Sequence, residues 1–409
     1  MEIAKSEQLL IKQYDYMIYH SPFYKKRLQH NEIPKSISKI KDIEKLPFTE
    51  KQDLRDLYPF GFLASNMDRV IRYGETTGTT GQPTAAYMTE NDWKLNLMYT
   101  QKSYSTMFSK EDIAVISIPY ELAFSAMDID RALSNIGVTV VATGALNQVC
   151  PWERTVKIML EIKPTILVCT ATRAIRFFDM LDERKIAIED IGLKYIFYVG
   201  EAASRAKVRK IEKQLGVKLV TAYGSTETNT LSLPCRYGFQ HLNEERYYFE
   251  VLDIKTGLPV KEGEMGELVV TSLQNEAMPL LRYKTGDLVV ADRCQCGSET
   301  KIIYHNGRIG DLIHINGVSK SKVEMEELIF TSHIQGFYYN YFQDEDGTLI
   351  IEIESGPDNI GVEKQLEDTI QTVFGVTPKV YFVKKACFTN KIDTILKPGN
   401  VNTLKGGVR

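Results

Sequence analysis

Between residues 92 and 225 the chain alternates two textures, and this alternation limits the fold more than anything else in it. Amphipathic stretches ("DWKLNLMYTQKSYSTMF", "DIDRALSNIG", "WERTVKIMLEIK", "ATRAIRFFDMLDERK", "SRAKVRKIEKQLG") are separated by short apolar runs ("AVISI", "VTVVAT", "TILVCT", "YIFYVG", "KLVTAYG"). Such runs are strands buried on both faces, and their alternation with helices predicts a largely parallel sheet. Right-handed crossovers bring the strand C-termini to one edge, where ligands bind in such sheets. On either side the texture changes. The first 65 or so residues read as helix and loop. From 247 to 292, "YYFEVLD", "GELVVTSL" and "DLVVAD" are strands parted by Gly/Pro turns, which predicts an antiparallel, barrel-like part over about 235–305. Beyond 308 an αββαβ pattern follows, with "EDG" as a hairpin signal. The predicted class is α/β, with a large N-terminal domain over 1–307 and a small α+β C-terminal domain over 308–409.

Composition narrows the function. A net charge of -3 lacks the basic excess of a nucleic-acid binder. No window approaches the ~18 uninterrupted apolar residues of a membrane span. The N-terminal stretch is amphipathic and lacks the apolar block of a signal peptide. A cytoplasmic protein with neither a nucleic-acid nor a membrane partner is expected. The six cysteines in 409 residues are too sparse for a disulfide scaffold. Cys169, inside "TILVCT", reads as buried, and Cys150 and Cys387 carry no signal.

The segment "TTGTTGQPT", 76–84, lies between "VIRYGE" and "AAYMTEND", so a strand–loop–strand is expected. A nucleotide P-loop needs a Lys opening a helix, and this loop has none. Its glycines nevertheless let successive N–H groups turn inward, and its threonines add donors, which suits a phosphate chain. A surface hairpin is the alternative. Three further places carry chemistry-bearing residues. Tyr223 and Glu227 follow the apolar run "KLV" in "AYGSTET", where an aromatic can cover a base and a carboxylate can hold a divalent cation. Asp287 stands behind a Gly turn in "LLRYKTGDL", placed to take both hydroxyls of a ribose. Arg308, in "NGRIGD", marks the domain boundary. Taken singly, Asp287 is also an ordinary turn former and Arg308 an ordinary surface ion-pair partner.

In order and spacing these segments resemble the adenylate-forming superfamily of acyl-CoA synthetases, and within it the phenylacetate–CoA ligase branch. The loop at 76–84 is similar to that superfamily's signature. Tyr223, Gly224, Ser225, Thr226 and Glu227 match its second motif, and Tyr283, Lys284, Thr285, Gly286 and Asp287 its third. Gly307, Arg308 and Asp311 match the hinge motif, which departs at Gly310. The branch rests on "LPFTEKQDLRDLYPFGFLA", "YVGEAA" and "NGVSKSKVEMEELIF". The resemblance implies activation of a carboxylic acid by ATP and Mg²⁺ and transfer of the acyl group to the thiol of coenzyme A. It implies that Thr76, Thr77, Gly78, Thr79, Thr80 and Gly81 hold phosphates, with Thr80 acting in catalysis. Glu227 would bind Mg²⁺. Gly200, Glu201 and Ala202 would line the adenine or acyl pocket with Tyr223, and Asp287 and Arg308 would hold the ribose. A lysine of the small, mobile domain is implied; Lys405 is the first choice and Lys397 the second, although the usual pattern is not met cleanly. Gly317 would let pantetheine pass.

Cys235, His241, Cys294 and Cys296 form a set suited to a structural Zn²⁺, with ordinary free thiols as the alternative. The branch implies an acyl site in "IPYELAFSAMDIDRALSNIG", with Tyr120, Phe124 and Ala126 as lining. Asp128 either meets a basic group on the substrate or caps the helix that follows. An aromatic acid is the default substrate. A carrier-protein phosphopantetheine in place of coenzyme A, a homodimer, and a non-catalytic nucleotide-binding protein on the same fold all stay open.

Overall fold

The apolar runs become strands of one sheet. In the computed structural model, which describes residues 3–76, 81–145, 147–355 and 361–384, five strands lie in the order Thr139–Ala142, Ile113–Ile116, Ile166–Cys169, Tyr195–Tyr198, Lys218–Thr221. The middle three pair in parallel. Ile166, Leu167, Val168 and Cys169 are fully buried, which explains the absence of alternation in "TILVCT". Helices Trp152–Ile162, Ala171–Glu183 and Arg205–Leu215 connect successive strands and bury Met159, Phe177 and Ile211 against the sheet. Thr170 and Ser204 cap the last two helices by accepting from Arg173 N and Lys207 N.

This sheet belongs to the second of two compact units, made of 112–118, 141–220 and 306–409. The same unit holds the C-terminal αββαβ set: helices Lys322–Thr331 and Val362–Phe374 over a sheet ordered Tyr338–Gln343, Leu349–Glu354, Lys379–Val383. Its first pair is antiparallel and its second parallel. A hairpin that the sequence reading did not foresee precedes it, Ile313–Ile315 with Val318–Lys320. Asn316 at φ 49° and Gly317 at φ 77° make its two-residue turn, the conformation that favours Asn-Gly.

Helix Arg205–Leu215 is bound to this C-terminal set through buried polar groups. Lys207 Nζ lies 2.9 Å from Glu326 Oε1, with both side chains only 6% exposed. Glu326 also accepts from Ser204 N at 2.6 Å and from the Tyr339 hydroxyl at 2.9 Å. Lys210 donates to the carbonyls of Ile334, Gln335 and Gly336 at 2.6, 2.9 and 2.6 Å.

The first unit comprises 1–111, 119–140 and 221–305. It contains helices Ile3–His20, Glu90–Tyr104 and Ser125–Asn135, the hairpin of Val70–Glu75 with Ala85–Thr89, and a seven-stranded sheet. The sheet order is Tyr247–Leu252, Met265–Ser272, Tyr283–Asp292, Ile302–Arg308, Gln240–Leu242, Asn229–Pro234, Tyr223–Ser225. The antiparallel part thus begins earlier than the expected 235. Tyr223 does not end a parallel strand; Lys218–Thr221 does, and Tyr223–Ser225 folds back on Asn229–Pro234. The reversal requires Gly224, since a Cβ there would lie 2.1 Å from Asn229 O. Among the described residues no helix is long and apolar enough to cross a membrane.

Candidate active site

The Gly/Thr segment closes an antiparallel hairpin, as its flanks predict. Thr76 N donates to Thr84 O at 3.0 Å, and Thr84 N to Thr76 Oγ1 at 2.9 Å, so the loop is pinched at its foot. Thr77, Gly78, Thr79 and Thr80 lie outside the described residues; Gly81 resumes the chain at φ 141°. Thr84 Oγ1 donates to Glu227 Oε1 at 2.8 Å. The Glu227 side chain is 2% exposed, and Lys51 Nζ stands 3.0 Å from the same oxygen. Burial alone would raise this carboxyl, but the Lys51 charge, a backbone donor and Thr84 outweigh it and hold it below the usual carboxylate range. The structure therefore brings Thr76, Thr84 and Glu227 together. Lys51 is a site residue that the sequence reading did not name, although it lies in the "LPFTEKQDLR" stretch used to assign the branch.

A second buried carboxylate lies on the seven-stranded sheet. Asp287 accepts from the Tyr223 hydroxyl at 2.7 Å, and His305 Nε2 lies 3.3 Å from its other oxygen. The rings of Tyr223 and His305 stand 5.1 Å apart. His305 had no sequence signal, because only the pairing of strands Tyr283–Asp292 and Ile302–Arg308 brings it to Asp287. Ser225 and Thr228 share a hydroxyl contact at 3.0 Å that shapes the turn carrying Thr226 and Glu227.

The remaining expected nucleotide residues belong to the second unit. Gly200, Glu201 and Ala202 follow strand Tyr195–Tyr198. Glu201 turns its carboxylate to helix Ala171–Glu183, accepting from Thr172 N at 3.0 Å and from the Thr172 hydroxyl, with Lys207 at 3.9 Å. Arg308 is exposed at the end of its strand, and Gly317 sits in the hairpin turn. Lys397, Lys405 and Cys387 lie outside the described residues.

The expected acyl segment is partly rearranged. Phe124 and Ala126 are buried, and Tyr120 donates to Asp130 at 2.9 Å. Asp128 does not cap a helix: the helix begins at Ser125 with Phe124 in the cap position, which leaves Asp128 inside the first turn. Its oxygens accept from Trp93 Nε1 at 2.9 Å and Asn96 Nδ2 at 3.1 Å. Burial pushes this carboxyl up to about 6, against the Trp93 and Asn229 donors and the charges of Arg246 and Arg72. Both oxygens are thus held by residues of helix Glu90–Tyr104, and it is the cap reading of Asp128 that is corrected.

The expected metal set does converge. One ligand atom from each of Cys235, His241, Cys294 and Cys296 lies within 4.8 Å of every other. Cys296 Sγ and His241 Nε2 are 3.3 Å apart. His241 Nδ1 is engaged by Thr300 Oγ1 at 2.8 Å, which turns Nε2 toward the thiols, the outer contact that metal-bound histidines make. Burial lowers the imidazole's proton affinity, favouring the neutral form that can ligate. Three thiols and one imidazole at this spacing fit a four-coordinate Zn²⁺.

The family described as "AMP-binding enzyme" matches residues 66–276, half of the chain. A phenylacetate–coenzyme A ligase of Thermus thermophilus is 30% identical over 357 residues, covering 85% of this chain and 79% of its own. The chain belongs to the AMP-binding enzyme family, in its phenylacetate–CoA ligase-like branch. Phenylacetate–coenzyme A ligases of Aromatoleum evansii and Pseudomonas putida are 28% and 26% identical to this AMP-binding enzyme, over 88% and 90% of its length and 85% and 87% of theirs. Among solved structures, 2-hydroxyisobutyryl-CoA ligase in the postadenylation state with 2-HIB-AMP has a TM-score of 0.83 at 20% identity, covering 95% of this chain and 88% of that one. The same ligase with 2-HIB-AMP and CoA in the thioesterification state gives 0.69 at 22% identity, over 95% and 88%. These likenesses establish the α/β fold of the AMP-binding enzyme.

Proposed function

We propose that the protein is an ATP-dependent, AMP-forming acid–CoA ligase. It joins a carboxylic acid to the α-phosphate of ATP with release of pyrophosphate, then passes the acyl group from the adenylate to the thiol of coenzyme A. One observation carries this reading most directly: the buried, ionised Glu227 is tied by Thr84 to the foot of the Gly/Thr loop and faced by Lys51. That is an anionic anchor and a cation beside a segment built to wrap phosphates.

The loop residues 76–81 hold the β- and γ-phosphates, and Glu227 is the oxygen ligand suited to Mg²⁺, which when bound neutralises phosphate oxygens. Asp287 takes the ribose hydroxyls with Arg308, and Tyr223 lies against the adenine. Lys405 supplies the cation for the adenylation step. The chain from 308 turns about Arg308 to Asp311 between the two half-reactions, and Gly317 borders the pantetheine path. The protein's work is positioning and charge neutralisation, because ATP brings its own leaving group. The names of the curated relatives support an aromatic acid and coenzyme A, rather than a carrier protein, as substrates. Cys235, His241, Cys294 and Cys296 hold a structural Zn²⁺ whose four positions are all filled by the chain.

The test is to incubate the protein with ATP, Mg²⁺ and a panel of aryl, arylacetic, hydroxy and aliphatic acids, and to follow pyrophosphate release with and without coenzyme A. An aryl or arylacetic acid is expected to trigger release, with an acyl-CoA formed only when the thiol is present. Absence of release with every acid would refute the ligase reading.

A further inference from the structure

Residues 308–311, about which the chain is proposed to turn, stand between helix Arg205–Leu215 and everything that follows them. A rotation there cannot carry 322–336 along and leave its contacts with 205–215 in place, since one partner of each contact precedes the turning point and the other follows it. These contacts are polar. Lys207 Nζ meets Glu326 Oε1 at 2.9 Å inside the protein, and Glu326 Oε2 accepts from Ser204 N at 2.6 Å. Lys210 Nζ donates to the carbonyls of Ile334, Gln335 and Gly336 at 2.6, 2.9 and 2.6 Å, and lies 5.3 and 4.5 Å from the ring centres of Phe330 and Phe337. An ammonium has three N–H donors, so all of them are spent on one short turn. That turn is fixed in the C-terminal set: a Cβ on Gly336 would lie 1.9 Å from Glu354 O. Three carbonyls converge on one nitrogen in a single geometry only, so the contact is specific to one arrangement. It is also cheap to open. Hydrogen-bonded groups exchange their protein partners for water at a small net cost, whereas parted apolar faces cost in proportion to their area.

We propose that Lys207 and Lys210 form a reversible latch on the C-terminal set: closed, it holds the set in the arrangement of one half-reaction, and it opens for the other. This rests on the turn about Arg308 to Asp311 given above. Both lysines act through the placement of the C-terminal set and are positioning residues. Where the two arrangements exchange faster than the chemistry, each half-reaction runs in proportion to the population of its own arrangement. The ratio of the two rates then follows the closing equilibrium of the latch. Weakening the latch moves that ratio whichever arrangement is the more populated.

The experiment measures the half-reactions separately in the full-length protein, with an acid that triggers pyrophosphate release. Adenylation is read as isotope exchange between pyrophosphate and ATP without coenzyme A, and thioester formation as a single turnover when coenzyme A is added to the preformed adenylate. Lys210→Met keeps the apolar stem beside Phe330 and Phe337 and removes the three donors. Glu326→Gln keeps an acceptor for Ser204 N and removes the charge opposite Lys207. Each is expected to move the ratio of the two rates about tenfold, in the same direction, the loss typical of one contact to a charged group. Arg209→Ala, which opens the more exposed pair with Glu327, should move it no more than about twofold. A purely structural role would slow both half-reactions alike, and an unchanged ratio in Lys210→Met and Glu326→Gln overturns the latch. Hydrogen exchange of 205–215 and 322–336 in wild type, with ATP and acid and then with coenzyme A added, tests the turn itself. Protection that stays constant while both half-reactions proceed means that the segment does not turn, and the latch falls with that reading. Protection that changes, together with an unmoved ratio in the variants, overturns the latch alone.

Discussion

Glu227 and Asp128 are both buried carboxylates, and their surroundings drive them in opposite directions. Glu227 has Lys51 at 3.0 Å and stays ionised; Asp128 has mainly neutral amide and indole donors, and burial pushes it up to about 6. For Glu227, whose folded pKa is lowered, the ionised form contributes stability above the unfolded value, and that contribution is lost as pH falls through the folded value. Lys51→Met leaves burial unopposed by a charge. Acid unfolding of this variant is expected to begin at higher pH than in wild type, read from the denaturation midpoint across pH 3–7. An unchanged acid limb would mean that the ion pair does not act on Glu227. For Asp128, whose folded pKa is raised, the sign reverses: stability is greatest when the group is protonated and falls as pH rises from about 4 to about 6. Asp128→Asn should flatten that limb, an effect of at most about 3 kcal/mol for a shift of this size. At this scale the sequence was only partly legible. Glu227 and Asp287 stand out because each belongs to a local motif. Their partners Lys51, Thr84 and His305 lie on other elements, and no spacing along the chain marks such contacts.

Among the elements, the buried strands and the Cys/His set were the easiest to read, and the helix starts and strand reversals the hardest. "TILVCT" has no alternation to misread, whereas "FSAMDID" offers an aspartate that looks like a cap while the chain is already helical. The reversal at Gly224 was hidden because "AYGS" continues the apolar run before it. The stretch that forms helix Arg205–Leu215 reads only as amphipathic, yet two of its lysines are tied to partners beyond residue 320. Lys207→Met should destabilise the protein by about 3–5 kcal/mol, because it strands the buried Glu326 carboxylate. The double variant Lys207→Met with Glu326→Met should recover part of that loss. Urea unfolding measures both, and equal costs for the single and double variants would exclude an uncompensated charge as the cause.

For the molecule as a whole, the metal set joins two chain segments far apart in sequence, Cys235 and His241 beside and on strand Gln240–Leu242, and Cys294 and Cys296 ahead of its neighbour Ile302–Arg308. A metal there should bind in the cell and survive purification, so elemental analysis is expected to find about one zinc per chain. Cys296→Ser should lose the ion and lower the melting temperature, while the protein that remains folded still releases pyrophosphate. Loss of activity at an unchanged melting temperature would instead point to a metal in the chemistry. The polar contacts between helix Arg205–Leu215 and the C-terminal set bear on how such enzymes can be recombined. Glu326 finds its lysine, and the carbonyls at 334–336 find theirs, on a helix about 120 residues upstream. A chimera that exchanges only the segment after Asn306 for that of a relative separates complementary halves of one buried contact. The exchangeable module is therefore discontinuous, and a working graft must carry the upstream helix with the C-terminal piece.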